Sequence, residues 1–520
     1  MPFSRKLPLM LLALAAAAAG ETVTLPADAA DYEAERHIPQ QEPQYRPGGE
    51  TFARPGNAET NAAPATDAAA PYPSPQMTEQ LLNRALLLRR YDDIPPLLAA
   101  YRNWPQADPV LTAFAQGALY RHQGRHGKAA ALYRDILKQH PQLQTVRLDL
   151  AAMLHEDKQL RDSAAEFART VEQGLPDDVM PRIRAYLHEN KQQQAWQFSA
   201  TLAYTADKNV NNVSAEEIIY VPQLPGLPLR KNPEYLPQQA HGFEYGLAAA
   251  RDLNLGGHHY LHLGADWRGV SYWDNHRFDD AALRLNTGYR RRSLRGEYSL
   301  IPFAEKRRYG GEAYYKRYGA ELAASRWFGR RWQLSAHLSR ARKNYDAGFK
   351  GRETGGGGGF SYLAGSSGYF FGGLYASREQ YGYGYRSGSR RFGGYAGWGK
   401  QWNFGLGSRI SVSRYSERYD DRHYIYTDRR RTDHTTGLNL TLWHKRLQWR
   451  GITPKLNWRH TRTDSNIGAL YGYRKNRLFE GAAFGCGKKI REFALTGQRG
   501  ILAENLSRCF PAFSRVSKAL

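Results

Sequence analysis

From Trp196 to Phe479 apolar residues recur at every second position, in about fourteen separate groups. Trp196, Phe198, Ala200, Leu202 and Tyr204 form the first group, and Phe243, Tyr245, Leu247 and Ala249 the second. Leu261–Leu263–Ala265–Trp267, Ala281–Leu283–Leu285–Thr287–Tyr289 and Gly296–Tyr298–Leu300–Pro302 continue the series. Tyr318–Ala320–Leu322–Ala324 and Trp332–Leu334–Ala336–Leu338 come next, then groups centred on Tyr362, Leu374, Ala396, Ile410 and Leu440. Ile452–Pro454–Leu456–Trp458 and a less apolar run from Tyr471 to Phe479 end it. A period of two is the mark of strands with one apolar face.

The connections alternate in length as well. Gly256-Gly257, 291–294, 328–331, 365–368, 403–405 and 445–447 are short; 205–240, 273–279, 305–315, 343–356, 378–391, 416–433 and 462–470 are long. Short turns at one end and long loops at the other describe an outer-membrane barrel. In such a barrel every strand pairs with two neighbours, so no backbone group meets lipid unpaired. The opposite faces carry Arg284, Asn286, Glu321, Arg326, Gln333 and Arg409, which suits a polar lumen. Trp196, Trp267, Trp273, Trp327, Trp332, Trp402, Trp449 and Trp458 lie near strand ends and suit interfacial girdles. A soluble sandwich would struggle with so many aromatic-rich hairpins in one run. A helical membrane protein is excluded, because after the N-terminus no run of about 20 apolar residues occurs.

Residues 1–20 read as a secretory signal: Arg5 and Lys6, then an apolar run from Leu7 to Ala19, then small residues to Gly20. Residues 21–77 are rich in Pro and Ala and form a flexible leader. Helical texture then spans 78–190. Gly117, Tyr120, Gly124, Ala129, Tyr133, Ile136 and Pro141 fall at the spacings of a tetratricopeptide repeat. A looser copy follows 34 residues on, with Ala151 for Gly117 and Phe167 for Tyr133, and Leu81 to Tyr101 resembles a degenerate first unit. Stacked hairpins of this kind make a concave groove suited to an extended peptide or a protein. Gly117, Tyr120, Gly124, Ala129, Tyr133, Pro141, Ala151 and Phe167 are therefore candidates for repeat packing or for the groove.

Lys and Arg total 73 against 49 Asp and Glu, a formal charge of +24. Such a charge favours anionic surroundings, but export argues against nucleic acid and for a phosphate-rich membrane surface. Lys306-Arg307-Arg308, Arg390-Arg391 and Arg429-Arg430-Arg431 are expected in loops facing lipopolysaccharide phosphates. No catalytic grouping, cofactor site or metal site is expected. His258, His259, His262 and Asp266 are better read as lumenal packing, because a strand puts His259 on the opposite face. Asp207, Asn209, Asn211 and Asn212 lack the terminal glutamate of a calcium loop and read as a turn. Gly355 to Gly359 lacks the Lys-Ser/Thr of a phosphate loop and suits a lumenal strand that leaves space. The two cysteines, Cys486 and Cys509, support neither a disulfide framework nor a zinc site.

Signal, leader, repeat domain and barrel, in this order, resemble the surface lipoprotein assembly modulator (Slam) family. The stretch Gln197 to Ser214 is similar to the start of that family's barrel, where an Asp-x-Asn-x-Asn element follows the first strand; here it is Asp207, Asn209 and Asn211. The resemblance implies an α+β multidomain protein: a periplasmic tetratricopeptide-like α-helical domain, then a transmembrane antiparallel β-barrel of about fourteen strands in the Gram-negative outer membrane. It implies a non-enzymatic factor that promotes translocation and display of lipoproteins, with the helical domain contacting clients in the periplasm. Its partners would be surface lipoproteins, the barrel assembly machinery, outer-membrane lipids and lipopolysaccharide. The alternative is a porin or solute channel with an accessory interaction domain. One departure concerns the barrel, expected over 196–479. After Phe479 alternation stops, and 480–520 reads as an atypical basic tail that resembles out-of-frame sequence and leaves the closing strand in question.

Overall fold

The structure, a computed structural model, describes residues 74–174, 177–221, 225–365, 367–382, 387–423, 425–447 and 452–486. The signal, nearly all of the leader, Pro176, Trp449 and the tail beyond Cys486 lie outside the described residues.

Seven helices come first: α1 (Pro75–Leu87), α2 (Ile94–Arg102), α3 (Pro109–His122), α4 (His126–Gln139), α5 (Gln144–Glu156), α6 (Leu160–Glu172) and α7 (Met180–Gln193). Their starts follow from local chemistry. Ser74 accepts from the Met77 amide at 3.1 Å and Asp108 from the Val110 amide at 2.8 Å, each with proline at the first helical position. Those oxygens satisfy amides that have no partner within the helix. The helices pack as hairpins. Leu82, Ile94, Leu98, Tyr101 and Leu119 hold the first core; Ala129, Tyr133, Leu150, Met153 and Leu154 hold the second. Leu148, Ala151, Phe167 and Ile183 hold the third. The turns within the hairpins repeat one backbone geometry: Arg89, Gly124 and Lys158 have φ of +56°, +68° and +66°.

The sheet begins with β1 (Gln197–Asp207) and a separate two-stranded hairpin, β2 (Ile218–Tyr220) and β3 (Pro228–Arg230). Then come β4 (Ala240–Gly256), β5 (His259–Tyr272), β6 (Asp280–Arg292), β7 (Gly296–Tyr309), β8 (Glu312–Phe328), β9 (Trp332–Tyr345) and β10 (Lys350–Ala364). They are followed by β11 (Gly368–Tyr381), β12 (Ser389–Gln401), β13 (Leu406–Arg422), β14 (Arg430–His444), β15 (Ile452–Ser465), a one-turn α8 (Gly468–Tyr471) and β16 (Tyr473–Cys486). β1 and β4 to β16 form a closed antiparallel barrel of fourteen strands. Apolar side chains point outward: Leu283, Leu300, Leu322, Leu338, Leu374 and Phe392 are all exposed, at 48–62 %. That inversion of an ordinary core is what a lipid-facing surface requires.

The barrel departs from expectation in four places. Its closing strand continues past Phe479 to Cys486 and pairs with β1 from Ala206 opposite Leu478 to Phe198 opposite Cys486. Backbone pairing needs no apolar alternation, so glycine and alanine complete the ladder where the side-chain pattern had faded. Strands also run taller than the apolar groups. Only Gly310 and Gly311 separate β7 from β8, and the basic segments 306–308 and 390–391 lie within strands, not loops. Alternation then splits them: Arg307 and Arg391 face inward and are buried, while Lys306, Arg308 and Arg390 face out. Finally, Trp327 is buried rather than girdle-forming, and Arg326 is exposed on the same strand parity as the outward Leu322.

Candidate functional site

The interior of the barrel is built from charge. Glu305, Arg317 and Lys343 stand opposite one another on β7, β8 and β9. Glu353 stands opposite Glu379 on β10 and β11, and Arg391, Glu417 and Asp433 align across β12, β13 and β14. Arg317 meets Glu353 at 2.7 Å; Lys343 bridges Glu353 at 3.0 Å and Glu379 at 2.7 Å; Arg391 meets Glu417 at 3.0 Å. Arg307 pairs with Asp280, and Arg477 with Glu244. Lys343 is only 1 % exposed and Arg317 3 %. Charges withdrawn so far from water persist only when paired. This belt crowds the lumen in the half remote from the helical domain.

The lumen is not filled uniformly. A cavity of about 490 Å³ lies against β1 and β4 to β8, with Glu244, Arg268, Glu305, Arg317 and Arg477 on its walls. Across from it, β10 to β13 present glycine and aromatics. Gly355, Gly357 and Gly359 face inward beneath Tyr375 and Tyr395: a Cβ on Gly357 would stand 2.6 Å from the Leu374 carbonyl, and one on Gly359 2.9 Å from the Tyr395 hydroxyl. A Cβ on Gly397 would stand 2.2 Å from the Phe371 ring. The five-glycine run thus gives room to rings, as a lumenal strand.

A cap covers the far end. Ile219 and Val221 of β2 and its flank pack with Ile425, Tyr426 and Ile467 from two other connections. Lys231 donates to the carbonyls of Ser214 (2.9 Å) and Ala469 (3.0 Å), and burial lowers its pKa. Tyr426 donates to the Tyr220 carbonyl at 2.9 Å, and the Arg431 guanidinium lies 3.4 Å from the Tyr471 ring centroid.

Asp207, Asn209 and Asn211 sit where this cap leaves the wall. Asp207 accepts from the Asn209 amide at 2.9 Å and lies 3.3 Å from Lys475 and 3.4 Å from Arg477 on the closing strand. Asn209 exchanges bonds with Val213, donating at 2.8 Å and accepting at 3.2 Å. Asn211 donates to Leu236 at 2.8 Å and accepts from Gln238 at 3.0 Å, pinning the start of the loop to its return. The element staples the first long connection to the seam between β1 and β16.

At the near end the helical domain is docked on the barrel turns. Arg295 donates to the Gln123 carbonyl at 2.6 Å, and a Cβ on Gly124 would stand 2.6 Å from Arg295 Nη2. One repeat later, Lys158 accepts from the Tyr260 hydroxyl. Asp157 lies 2.9 Å from His258 Nε2 and accepts from the Leu294 amide at 3.1 Å. Asp162 accepts from the Gly257 amide at 2.9 Å, and Asn254 accepts from the Arg161 amide at 2.8 Å. Successive repeat turns therefore form one edge, and that edge rests on the turns β4–β5 and β6–β7. His258 thus belongs to this interface and not to the lumen. His262 does face inward, between Asp252 at 2.7 Å and Asn286 at 2.9 Å, while His259 meets Tyr289 at 2.7 Å on the other face.

The repeat candidates are packing residues in this arrangement. Ala129, Tyr133, Ala151 and Phe167 are at most 1 % exposed, and a Cβ on Gly117 would strike the Tyr133 ring at 2.3 Å. Tyr120 packs on the second core beneath Lys128, and Pro141 follows α4, its carbonyl accepting from Arg147 at 2.8 Å. Every residue of α5 from Val146 to Glu156 is buried, so the central helix offers no open groove. Between the repeats Arg121 pairs with Glu156, whose carboxyl burial would raise but whose His126 and Arg121 partners hold low. Sequence reasoning missed the belt and the docking edge: their residues are dispersed, and only register brings them together.

The pattern of the family described as "Surface lipoprotein assembly modifier" matches residues 196–480, and that of its N-terminal TPR repeats matches 71–167. The chain belongs to this family. It is 28 % identical over 405 residues to a surface lipoprotein assembly modifier of Pasteurella multocida (strain Pm70), covering 72 % of this chain and 76 % of the relative. It is 28 % identical to surface lipoprotein assembly modifier 1 of Neisseria meningitidis serogroup B (strain ATCC BAA-335 / MC58), covering 78 % and 82 %. It is 25 % identical to a hemophilin secretion modulator of Acinetobacter baumannii, covering 78 % and 85 %. As a member of this family with a fourteen-stranded barrel, the chain is an outer-membrane protein whose helical domain lies on the periplasmic side.

Proposed function

We propose that this protein promotes the translocation and surface display of lipoproteins, with its helical domain meeting clients at the periplasmic mouth of the barrel. The observation that carries this reading is the docking of the repeat edge on two periplasmic turns, in a chain whose two parts both match the family. Docking fixes one edge against the β4–β7 side, and a client is expected along the remainder of the rim. Client contact falls to the undocked surface, where the first hairpin leaves Met77, Leu87 and Leu88 exposed. Buried α5 argues against threading a peptide through the repeat groove. No enzymatic step is needed for this role.

Co-expression with a candidate surface lipoprotein, read by protease shaving and antibody labelling of intact cells, tests the proposal. Display should require the full chain, and removal of 80–190 should leave an inserted barrel with reduced display. Unchanged display without the protein would defeat it. The solute-channel alternative expects steady conductance in planar bilayers. The buried belt and the cap oppose that reading, since both lie across the route a solute would take.

A further inference from the structure

Above the apolar band, the outward faces of β7 to β16 carry basic side chains in register. Lys306 stands opposite Lys316, Arg342 opposite Arg352, Arg378 opposite Arg390, Arg390 opposite Arg418, and Arg462 opposite Arg474. All are exposed. They share strand parity with lipid-facing side chains lower on the same strands: Leu322 three outward positions below Lys316, Leu338 two below Arg342, Leu374 two below Arg378, and Phe392 one below Arg390. Like charges placed directly opposite on neighbouring strands repel. Lys306, Lys316, Arg342, Arg352, Arg378, Arg418 and Arg474 have no ion pair among the described residues to relieve that repulsion. Arg390 and Arg462 have one acidic neighbour each, Asp420 at 3.3 Å and Asp464 at 2.9 Å.

We propose that this girdle is a binding surface for the phosphorylated headgroups of the outer-leaflet lipid. Anions bridging adjacent guanidinium and ammonium groups convert the in-register repulsion into charge-assisted bonds, and the guanidinium fork matches phosphate oxygens. Depth selects the source. The row caps the apolar band, so it lies at the headgroup level and not in the solvent where a soluble acidic protein would dock. The girdle is one-sided. At the same end β1 and β4 carry Tyr204 and Phe243, which pack with Trp273 at centroid distances of 5.8 Å and 5.4 Å. Phosphorylated lipid is thus gathered along the arc from β7 to β16, and an aromatic face is left beside β1 and β4. This inference goes beyond client transport and holds whether or not that reading does.

The test uses the full chain purified in detergent, with native mass spectrometry after addition of diphosphorylated lipid A, dephosphorylated lipid A or inorganic phosphate. The wild-type barrel should retain the diphosphorylated lipid. A variant with Lys306→Gln, Lys316→Gln, Arg342→Gln, Arg352→Gln, Arg378→Gln, Arg390→Gln and Arg418→Gln should retain about tenfold less, the sum of several weak surface pairings. Dephosphorylated lipid should bind weakly and equally to both. Equal retention by the variant, equal binding of the dephosphorylated form, or displacement of lipid by millimolar inorganic phosphate would each overturn the proposal. Should the variant lose heat-modifiable gel mobility, the wild-type protein decides alone: retention must fall steeply with salt, and retention unaffected by salt overturns the site.

Discussion

Arg121 in the helical domain and Arg317 in the barrel are buried alike, with side chains 6 % and 4 % exposed, and both lie among carboxylates. Their surroundings differ completely. Around Arg121 the neighbouring helices bury Tyr133, Leu150 and Met153, so an apolar core carries the fold and the ion pair is an inclusion. Around Arg317 the interior is itself the polar part, and the apolar residues have gone outside to Leu322 and Leu338. The helical domain is held by what it hides from water. The barrel is held by backbone ladders and by charges that satisfy one another within it. Substitutions in the belt, in the helical core and on the outer face should separate these two ways of being stable.

The largest effect is expected in the belt. Lys343→Met leaves Glu353 and Glu379 opposite each other, without the ammonium that bridges them. Removing one partner from a buried set costs about 3–5 kcal/mol. Urea titration of the barrel in lipid vesicles should show that loss, and an unchanged midpoint would mean that water already reaches the two carboxylates. Phe167→Ala should cost about 3–4 kcal/mol in the helical domain, because the ring is fully buried among Leu148, Ala151 and Ile183. Its loss should lower the helical unfolding transition while leaving heat-modifiable mobility of the barrel intact. Loss of both together would show that the two parts fold as one unit. On the outer face, Leu322→Arg should cost about 2–4 kcal/mol, as for a charge near the bilayer midplane, because Leu322 lies midway between Lys316 and Arg326 on β8. Leu338→Ala should be milder than Phe167→Ala, because its side chain exchanges lipid for lipid and leaves no cavity.

The same contrast explains what could be read from sequence. The barrel wall was legible because a lipid-facing surface imposes an unbroken period of two, seen in Leu283 and Leu285 or Phe370 and Leu374. The repeats were legible because Gly117 and Tyr133 must fit each other. Strand ends were not. At the upper edge of the apolar band the outward positions pass from Leu338 to Arg340 and Arg342 and the period of apolarity stops, although the ladder continues to Tyr345. The closing strand was missed because Glu480 and the glycines after it break the alternation in the sequence, while the ladder needs only backbone and runs on through Gly481 to Gly485. The docking edge left no periodic trace at all. Asp157 and His258 lie 101 residues apart and meet only because a repeat turn and a barrel turn share one edge.

That edge supplies the smallest effect and the one most specific to this architecture. Burial alone would raise the Asp157 carboxyl, but the His258 hydrogen bond and charge and the Leu294 amide hold its pKa below the ordinary carboxylate value. A pKa depressed by docking contributes in full above the ordinary value and fades only as pH falls through the depressed one. The contribution of Asp157 to docking should therefore hold from neutrality down to about 4, the ordinary carboxylate value, and fade only on stronger acidification. Asp157→Ala should remove this contribution at every pH, at a cost of about 1–2 kcal/mol, because one carboxylate serves both the imidazole and a barrel amide. Hydrogen exchange at the Leu294 amide reads the contact directly. In the variant it should exchange faster than in the parent at pH 7, and the two should converge in acid. Equal protection at pH 7 would show that Asp162 and Arg295 hold the edge without Asp157, and that the helical domain does not depend on this carboxylate for its seat on the barrel.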